Sequence, residues 1–320
     1  VWLLDLKFRY NKSLLKEVKN FSGARWHGYD DVPKKLWSIS DNDRNHFQLL
    51  FLQGENPYAR YDAPLVEYKS KRSLRANQLE LIRHSLTRHY CIFAAEMGLG
   101  KSLAAIELME HVIPDDVHDT ENWAWYVGPK AGVKAVNREL VKWNTRIRPR
   151  MITYEGLVKV IREWDDGAKA PLVVIFDESS KIKTPTSQRS KAAMHLADAV
   201  RKDWGGSGYI IEMSGTPAPK NPVDWWNLCE VACPGFLVEG TPVKLKQKLS
   251  LMEMRESLSG GAYPHIITWL DDKNKCAECG QTIHALHHAV GMADTYHEFK
   301  CSINAVERLS RRMEGLVITQ

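Results

Sequence analysis

The chain has 320 residues, a length that fits about two domains, and 44% of them are apolar, enough for a sizeable core. No apolar run approaches the roughly 18 residues needed to cross a bilayer, no secretory leader is visible, and six cysteines in this length do not make a disulfide framework. That excludes the membrane-spanning and disulfide-scaffold classes. The expectation is a protein of a reducing compartment, cytoplasmic and nucleoid-associated or nuclear, and not secreted. The net charge of +5 is modest, but residues 1–75 hold 14 Lys and Arg against 9 Asp and Glu, so the first quarter carries all of it. Such asymmetry points to an anionic partner at that end.

Residues 1–63 read as a small α+β unit. Phe8-Arg9-Tyr10 reads as a strand, and residues 13–20 as a short helix with Ser13 at its N-cap and Leu14, Leu15 and Val18 on one face. Phe21, Trp26 and Trp37-Ser38-Ile39 then alternate with polar and basic residues, and Asp41 caps a second helix through Phe47, Leu49, Leu50 and Phe51. Trp26 and Trp37 admit two readings: core aromatics, or platforms on which exposed bases stack beside phosphate-binding cations. Pro57 and Pro64 bracket a linker, after which residues 64–320 form the second unit.

Tyr90-Cys91-Ile92-Phe93 reads as a buried strand and Leu103-Ala104-Ala105-Ile106-Glu107-Leu108-Met109 as a helix. Between them stands Ala94-Ala95-Glu96-Met97-Gly98-Leu99-Gly100-Lys101-Ser102, with Ala95 where the common phosphate-loop pattern has its first Gly. Strand, Gly-rich turn and helix are the context in which successive backbone N–H groups and a helix N-terminus cradle phosphate. Lys101 then reaches the β- and γ-phosphates and the Ser102 hydroxyl ligates Mg²⁺. The nucleotide-binding set is Gln78, Gly98, Leu99, Gly100, Lys101, Ser102 and Leu103.

Trp123-Ala124-Trp125-Tyr126-Val127 reads as the next buried strand, ended by Gly128-Pro129-Lys130 and followed by a helix over 133–143. Lys130, Lys134, Arg138 and Lys142 recur every four residues, either as a nucleic-acid face or as a solvated one. Pro171-Leu172-Val173-Val174-Ile175-Phe176 is a further buried strand that ends in Asp177-Glu178-Ser179-Ser180. A carboxylate at the C-terminal end of a parallel strand sits where ligands bind. Asp177 can hold Mg²⁺ and Glu178 can orient and deprotonate a water. Residues 181–189 read as a polar, basic loop. Tyr209-Ile210-Ile211-Glu212-Met213 is the last strand of a parallel α/β sheet, and the hydroxyls of Ser214 and Thr216 can bond the Asp-Glu pair across the crevice.

Cys276-Ala277-Glu278-Cys279-Gly280, with His297 and Cys301 further on, gives C-x₂-C-x₁₇-H-x₃-C, close to structural zinc spacings. Cys276, Cys279 and Cys301 with one histidine, His297 first by spacing and His284, His287 or His288 as alternatives, are the expected Zn²⁺ ligands within an insertion at 268–303. The alternative is reduced thiols in a polar loop.

These motifs, in this order, resemble the superfamily 2 helicase core of the Swi/Snf type over residues 74–235. Arg75-Ala76-Asn77-Gln78-Leu79-Glu80 resembles the segment whose Gln reads adenine, and a side-chain amide can both donate to and accept from that base. Gly128-Pro129-Lys130 through Glu139 and Trp143, Ile152-Thr153-Tyr154-Glu155 and Met213-Ser214-Gly215-Thr216-Pro217 resemble successive family motifs, and Asp177-Glu178-Ser179-Ser180 stands where the family has Asp-Glu-Ala-His or a variant. Residues 1–63 are similar, more weakly, to the HARP-type domain of annealing helicases, on Lys19 and Phe21 before Ala24-Arg25-Trp26 and on Leu36-Trp37-Ser38-Ile39.

The resemblance implies a RecA-like parallel sheet with helices on both faces, preceded by a small α+β domain. It implies ATP and Mg²⁺ as cofactors, duplex or forked DNA as partner, and ATP hydrolysis coupled to movement on DNA. Lys101, Asp177, Glu178, Ser214 and Thr216 are the implied catalytic residues. The family hydrolyses ATP between two lobes, with an arginine from the second. Residues 307–313 look like the end of the first lobe, so a second lobe is expected in the continuation and poor turnover from this chain alone. The rival reading is a non-enzymatic DNA- and ATP-binding module.

Overall fold

A computed structural model describes residues 64–320 apart from 165–166, 219–220, 238, 258–259, 270–285, 289–296 and 300–304. Before residue 64 it describes 3–6, 12–19, 21, 24–27, 36–40, 45 and 49. The chain divides into two compact units, residues 1–220 with 224–238 and 315–320, and residues 221–223 with 239–314.

In the first unit, β1 (Leu3–Leu6), α1 (Lys12–Val18), β2 (Arg25–His27) and β3 (Leu36–Ser40) make an antiparallel sheet of order β1-β3-β2 with one helix. Val18, Phe21 and Ile39 are its buried centre, with Leu6, Leu14 and Trp37 packed around them. The helix starts one residue before Ser13, which therefore lies inside the first turn and not at the N-cap. The strand expected at Phe8-Arg9-Tyr10 lies outside the described residues, as do Asp41, Phe47, Leu50 and Phe51 of the expected second helix.

There follow α2 (Ala76–Arg88), β4 (Tyr90–Ala94), α3 (Lys101–Val112), β5 (Ala124–Gly128), α4 (Lys130–Lys142), β6 (Arg150–Thr153), α5 (Tyr154–Arg162), β7 (Val173–Asp177), α6 (Gln188–Trp204), β8 (Tyr209–Ser214) and α7 (Trp225–Ala232). The second unit holds α8 (Pro242–Leu249), the hairpin of β9 (Ser250–Glu256) and β10 (Ala262–Trp269), the short pair β11 (Leu286–His288) and β12 (His297–Phe299), and α9 (Ala305–Arg312). The chain then returns to the first unit as β13 (Val317–Thr319).

Six strands form one parallel sheet in the order β13-β4-β8-β7-β5-β6. Four were legible as apolar runs, because a strand buried on both faces does not alternate. The two outer strands, β6 and β13, were not read as strands. Leu81, Ile82, Ala105, Leu108, Met109, Val136 and Leu140 bring α2, α3 and α4 onto the face lined by Cys91, Phe93, Tyr126, Ile175, Ile211 and Met213. The helices α5, α6 and α7 cover the other face.

Strands β4 and β5 are consecutive in sequence, yet β8 and β7 lie between them. That reversal opens a crevice at the C-terminal strand ends, the usual place for a ligand in an open α/β sheet. Register carries the loops there: Ala94 pairs with Ser214, and Met213 with Asp177. Residues 68–72, just before α2, strap onto α3: Glu107, only 3% exposed, accepts from the Tyr68 hydroxyl at 2.9 Å and from Ser70 and Arg72.

Candidate nucleotide-binding crevice

The 95–102 loop leaves β4 and enters α3 with two left-handed glycines, Gly98 at φ +86° and Gly100 at φ +79°. Any other residue would be strained at either position. Gly100 is doubly constrained, because a Cβ there would strike the Gln78 amide. Three consecutive loop carbonyls are each held by a side chain at the start of α2: Gly98 by Arg75 at 3.4 Å, Leu99 by Asn77 at 3.0 Å and Gly100 by Gln78 at 3.2 Å. The other Gln78 amide atom accepts from Arg75 N at 3.0 Å, which satisfies a free backbone donor at the helix start. Gln78 is thus buried, with both amide atoms on backbone groups.

Lys101 folds back over the loop. Its ammonium donates to Ala95 O at 2.6 Å and Glu96 O at 2.9 Å. Burial lowers its pKa, while Glu178 and Asp177 pull the other way. Ser102 is half-buried beside it, and Leu103, 8% exposed, turns into the core.

Asp177 ends β7 half-buried. Burial raises its pKa; the Tyr126 hydroxyl, the backbone of Glu178 and the Lys101 charge oppose that without cancelling it. The carboxylate lies close against α4. A Cβ at Gly132 would come within 2.6 Å of Asp177 Oδ2, and one at Gly128 within 3.1 Å of its Cβ. The Tyr154 hydroxyl donates to the Asp177 carbonyl at 2.8 Å. Glu178 follows at φ +51°, ψ +52°, a left-handed conformation that costs a non-glycine residue about 1 kcal/mol or more. The chain then makes a 3₁₀ turn over Ser179–Ile182.

On β8, between β4 and β7, Ser214 is buried and its Oγ accepts from Thr216 N at 3.2 Å; Thr216 is exposed. The backbone of Gly215 lies close to Met97 and Ala95 O of the Gly-rich loop. The sheet therefore gathers Gln78, Gly98, Leu99, Gly100, Lys101, Ser102, Asp177, Glu178, Ser214 and Thr216 around one crevice. The sequence reading gave Gly132 and Tyr126 no role at the site and Tyr154 only a place in a family motif. A Gly inside a helical pattern and a Tyr inside an apolar strand were the available signals.

The basic residues Lys130, Lys134, Arg138 and Lys142 are exposed along α4. In the N-terminal sheet Trp26 is 46% exposed and lies 5.7 Å from Trp37, with Arg25 exposed beside it. Cys276, Cys279 and Cys301 lie outside the described residues, and His297 falls on β12, where only the backbone is described. Among the described residues no three His, Cys, Asp or Glu side chains gather as a metal site. None of their helices is long and apolar enough to cross a membrane.

No family model matches the chain. Over 243 residues, 65% of its length, it is 23% identical to the DNA repair protein rhp54 of Schizosaccharomyces pombe. Over 197 residues, 54% of its length, it is 24% identical to the DNA repair and recombination protein RAD54-like of Mus musculus. The aligned parts are 28% and 26% of those proteins, so the chain spans about a quarter of the length of these curated relatives. Among solved structures it is similar to the SWI2/SNF2 ATPase core of Sulfolobus solfataricus in complex with dsDNA, with a TM-score of 0.44 and 22% identity, covering 58% of this chain and 41% of that one. Over more than half of its length the chain is thus similar, at low identity, to parts of two DNA repair proteins.

Proposed function

We propose that the chain binds Mg·ATP in this crevice and forms the ATP-binding half of a DNA-dependent ATPase that moves on DNA. The observation that carries the reading is the meeting of a left-handed Gly-rich loop, a desolvated Lys101 and an incompletely compensated Asp177 carboxylate at adjoining strand ends. A buried acid whose pKa stays high beside one ammonium suits a site that a cation completes.

The loop N–H groups bind phosphate oxygens, and Lys101 exchanges the Ala95 and Glu96 carbonyls for them. Ser102 and Asp177 hold Mg²⁺, which when bound neutralises charge on the phosphates. Glu178 orients the water and takes its proton. Gln78 reaches adenine only by giving up a bond to Arg75 N or to Gly100 O, which ties base recognition to the loop's own conformation.

DNA is the proposed polymer because both relatives named above are DNA repair proteins and because basic side chains line the exposed face of α4. The Arg25-Trp26 surface of residues 1–63 suits a HARP-like role in contacting an opened duplex, as annealing or fork remodelling requires. A zinc knuckle from Cys276, Cys279, His297 and Cys301 rests on spacing alone. Turnover by the full-length protein, measured with duplex DNA, with RNA and with neither, tests the reading. DNA alone should stimulate, and only while Lys101 is present; stimulation by RNA alone would replace it with an RNA-dependent enzyme.

A further inference from the structure

Glu212 is the least expected side chain in the sheet. It lies at the middle of β8, between Ile92 of β4 and Phe176 of β7, and is 0% exposed. Neither carboxyl oxygen has a fully formed hydrogen bond among the described residues, and the same holds for the Oγ of Ser179, also 0% exposed. The groups that bear on the carboxyl are the Ser179 hydroxyl, Arg201 from α6 and Tyr154 from α5; its neighbours in register on β4 and β7 are apolar. Arg201 acts on it as a nearby positive charge. That guanidinium donates to Val231 O at 2.9 Å, to Ala232 O at 3.3 Å and to Asp198 at 2.6 Å.

A leucine would suit this place better on packing grounds alone, since an unpaired buried polar group opposes folding. Burial drives the carboxyl pKa well above the ordinary carboxylate range, which favours the neutral acid, a form able to donate as well as accept. The hydroxyl that bears on it is that of Ser179, the residue directly after Glu178, whose 3₁₀ turn packs against β8. Glu178 sits in its left-handed bend, with the Tyr154 hydroxyl on the carbonyl just before it and the Ser179 turn just after it.

We propose that Glu212 is a positioning residue for the carboxylate turn: from inside the sheet its carboxyl engages the Ser179 hydroxyl and holds Asp177 and Glu178 in their bent conformation. Tyr154 clamps the turn at Asp177 and Glu212 clamps it at Ser179. Glu212 touches neither nucleotide nor water. It acts through the turn, and the cost of burying it is offset by a correctly aimed Glu178.

This inference rests on the ATPase reading above, and the test separates the two. In the full-length protein, Glu212→Leu should lower kcat about tenfold, the effect of one misplaced hydrogen bond, with KM for ATP within about twofold. Its melting temperature should equal or exceed the parent's. Glu212→Gln, which keeps a donor and an acceptor, should retain most of the parent kcat. Ser179→Ala, the milder change, should reproduce the loss and decides the matter if the leucine variant does not fold. A kcat unchanged in both Glu212→Leu and Ser179→Ala, while Lys101→Ala abolishes turnover, overturns this inference and leaves the ATPase reading intact. Turnover that survives Lys101→Ala removes both.

Discussion

Two acids show how differently the chain treats a negative charge. In the second unit Glu239, 3% exposed, accepts from Arg312 at 2.9 and 2.6 Å and from Lys248 at 3.0 Å. Burial raises its pKa, but those cations outweigh it and hold the carboxyl at about 2. In the first unit Asp177 has, among the described residues, only Lys101 as a cation, and burial wins. An acid inside a finished cluster of cations belongs to the scaffold. An acid left short of positive charge at the mouth of a crevice belongs to a site that something else completes. Glu107, bonded to Tyr68, Ser70 and Arg72, falls with Glu239, while burial leaves Glu212 as short of charge as Asp177.

The contrast breaks most visibly at Glu178. Glu178→Gln in the full-length protein should lower kcat by about 10²- to 10⁴-fold, the usual worth of a positioned base, and spare ATP affinity. Near-parent turnover would remove Glu178 from the chemistry. The scaffold side answers next, with the opposite pattern. Arg312→Met leaves Glu239 without its bidentate cation, with Lys248 still on one oxygen, and should cost about 2 kcal/mol of stability, less than a fully dry pair because Arg312 is 37% exposed, with ATP affinity unchanged.

That cluster also sets an acid limit. The Glu239 pKa is depressed below its unfolded value, so its stabilisation is complete above about pH 4.3 and is lost as pH falls toward about 2. Hydrogen exchange over 239–314 should record that loss in the parent and a much smaller one in Arg312→Met. The same acid profile in both would show that the cluster contributes nothing.

Gly132→Ala sharpens the contrast within one residue. Alanine favours the helix by about 1 kcal/mol, yet its methyl group displaces the Asp177 carboxylate. Melting should stay level or rise while Mg²⁺-dependent ATP affinity falls about tenfold. Unchanged affinity would mean that Asp177 has room to move and is not held for a metal. The smallest effect belongs to the exposed face of α4. Lys130→Ala should reduce the log–log salt slope of duplex binding by about 0.9 and leave ATP affinity alone; an unaltered slope assigns that face to solvent.

The residues proposed for the crevice were legible in the sequence because their signatures are local. Glycines, Lys101, Ser102 and Asp177-Glu178 announce themselves by type and spacing beside apolar strands. Sequence reading also gave four of the six parallel strands, as uninterrupted apolar runs. It missed β13, whose three residues join β4 across more than two hundred positions of chain and carry no local signature. It missed the β9–β10 hairpin, whose strands mix Met, Glu, Arg and His and include Pro264. The helix α4 was expected to start at Val133, but Pro129 caps it from Lys130. Gln78 was recognised by its place before the loop; that its amide spans two backbone groups is a matter of tertiary geometry. Gly132 and Glu212 matter only through residues on other elements, and one-dimensional spacing does not display such pairings.

The central claim is that Lys101 and the 95–102 loop hold ATP. Calorimetric titration of Mg·ATP into this chain and into Lys101→Ala tests it most directly, because binding needs neither DNA nor turnover. The account predicts saturable binding by the parent and a loss of about 2–3 kcal/mol in the variant, roughly 30- to 150-fold in Kd, as expected for a charge-assisted contact to phosphate. Equal affinity in the two proteins, or no binding by the parent, would contradict it.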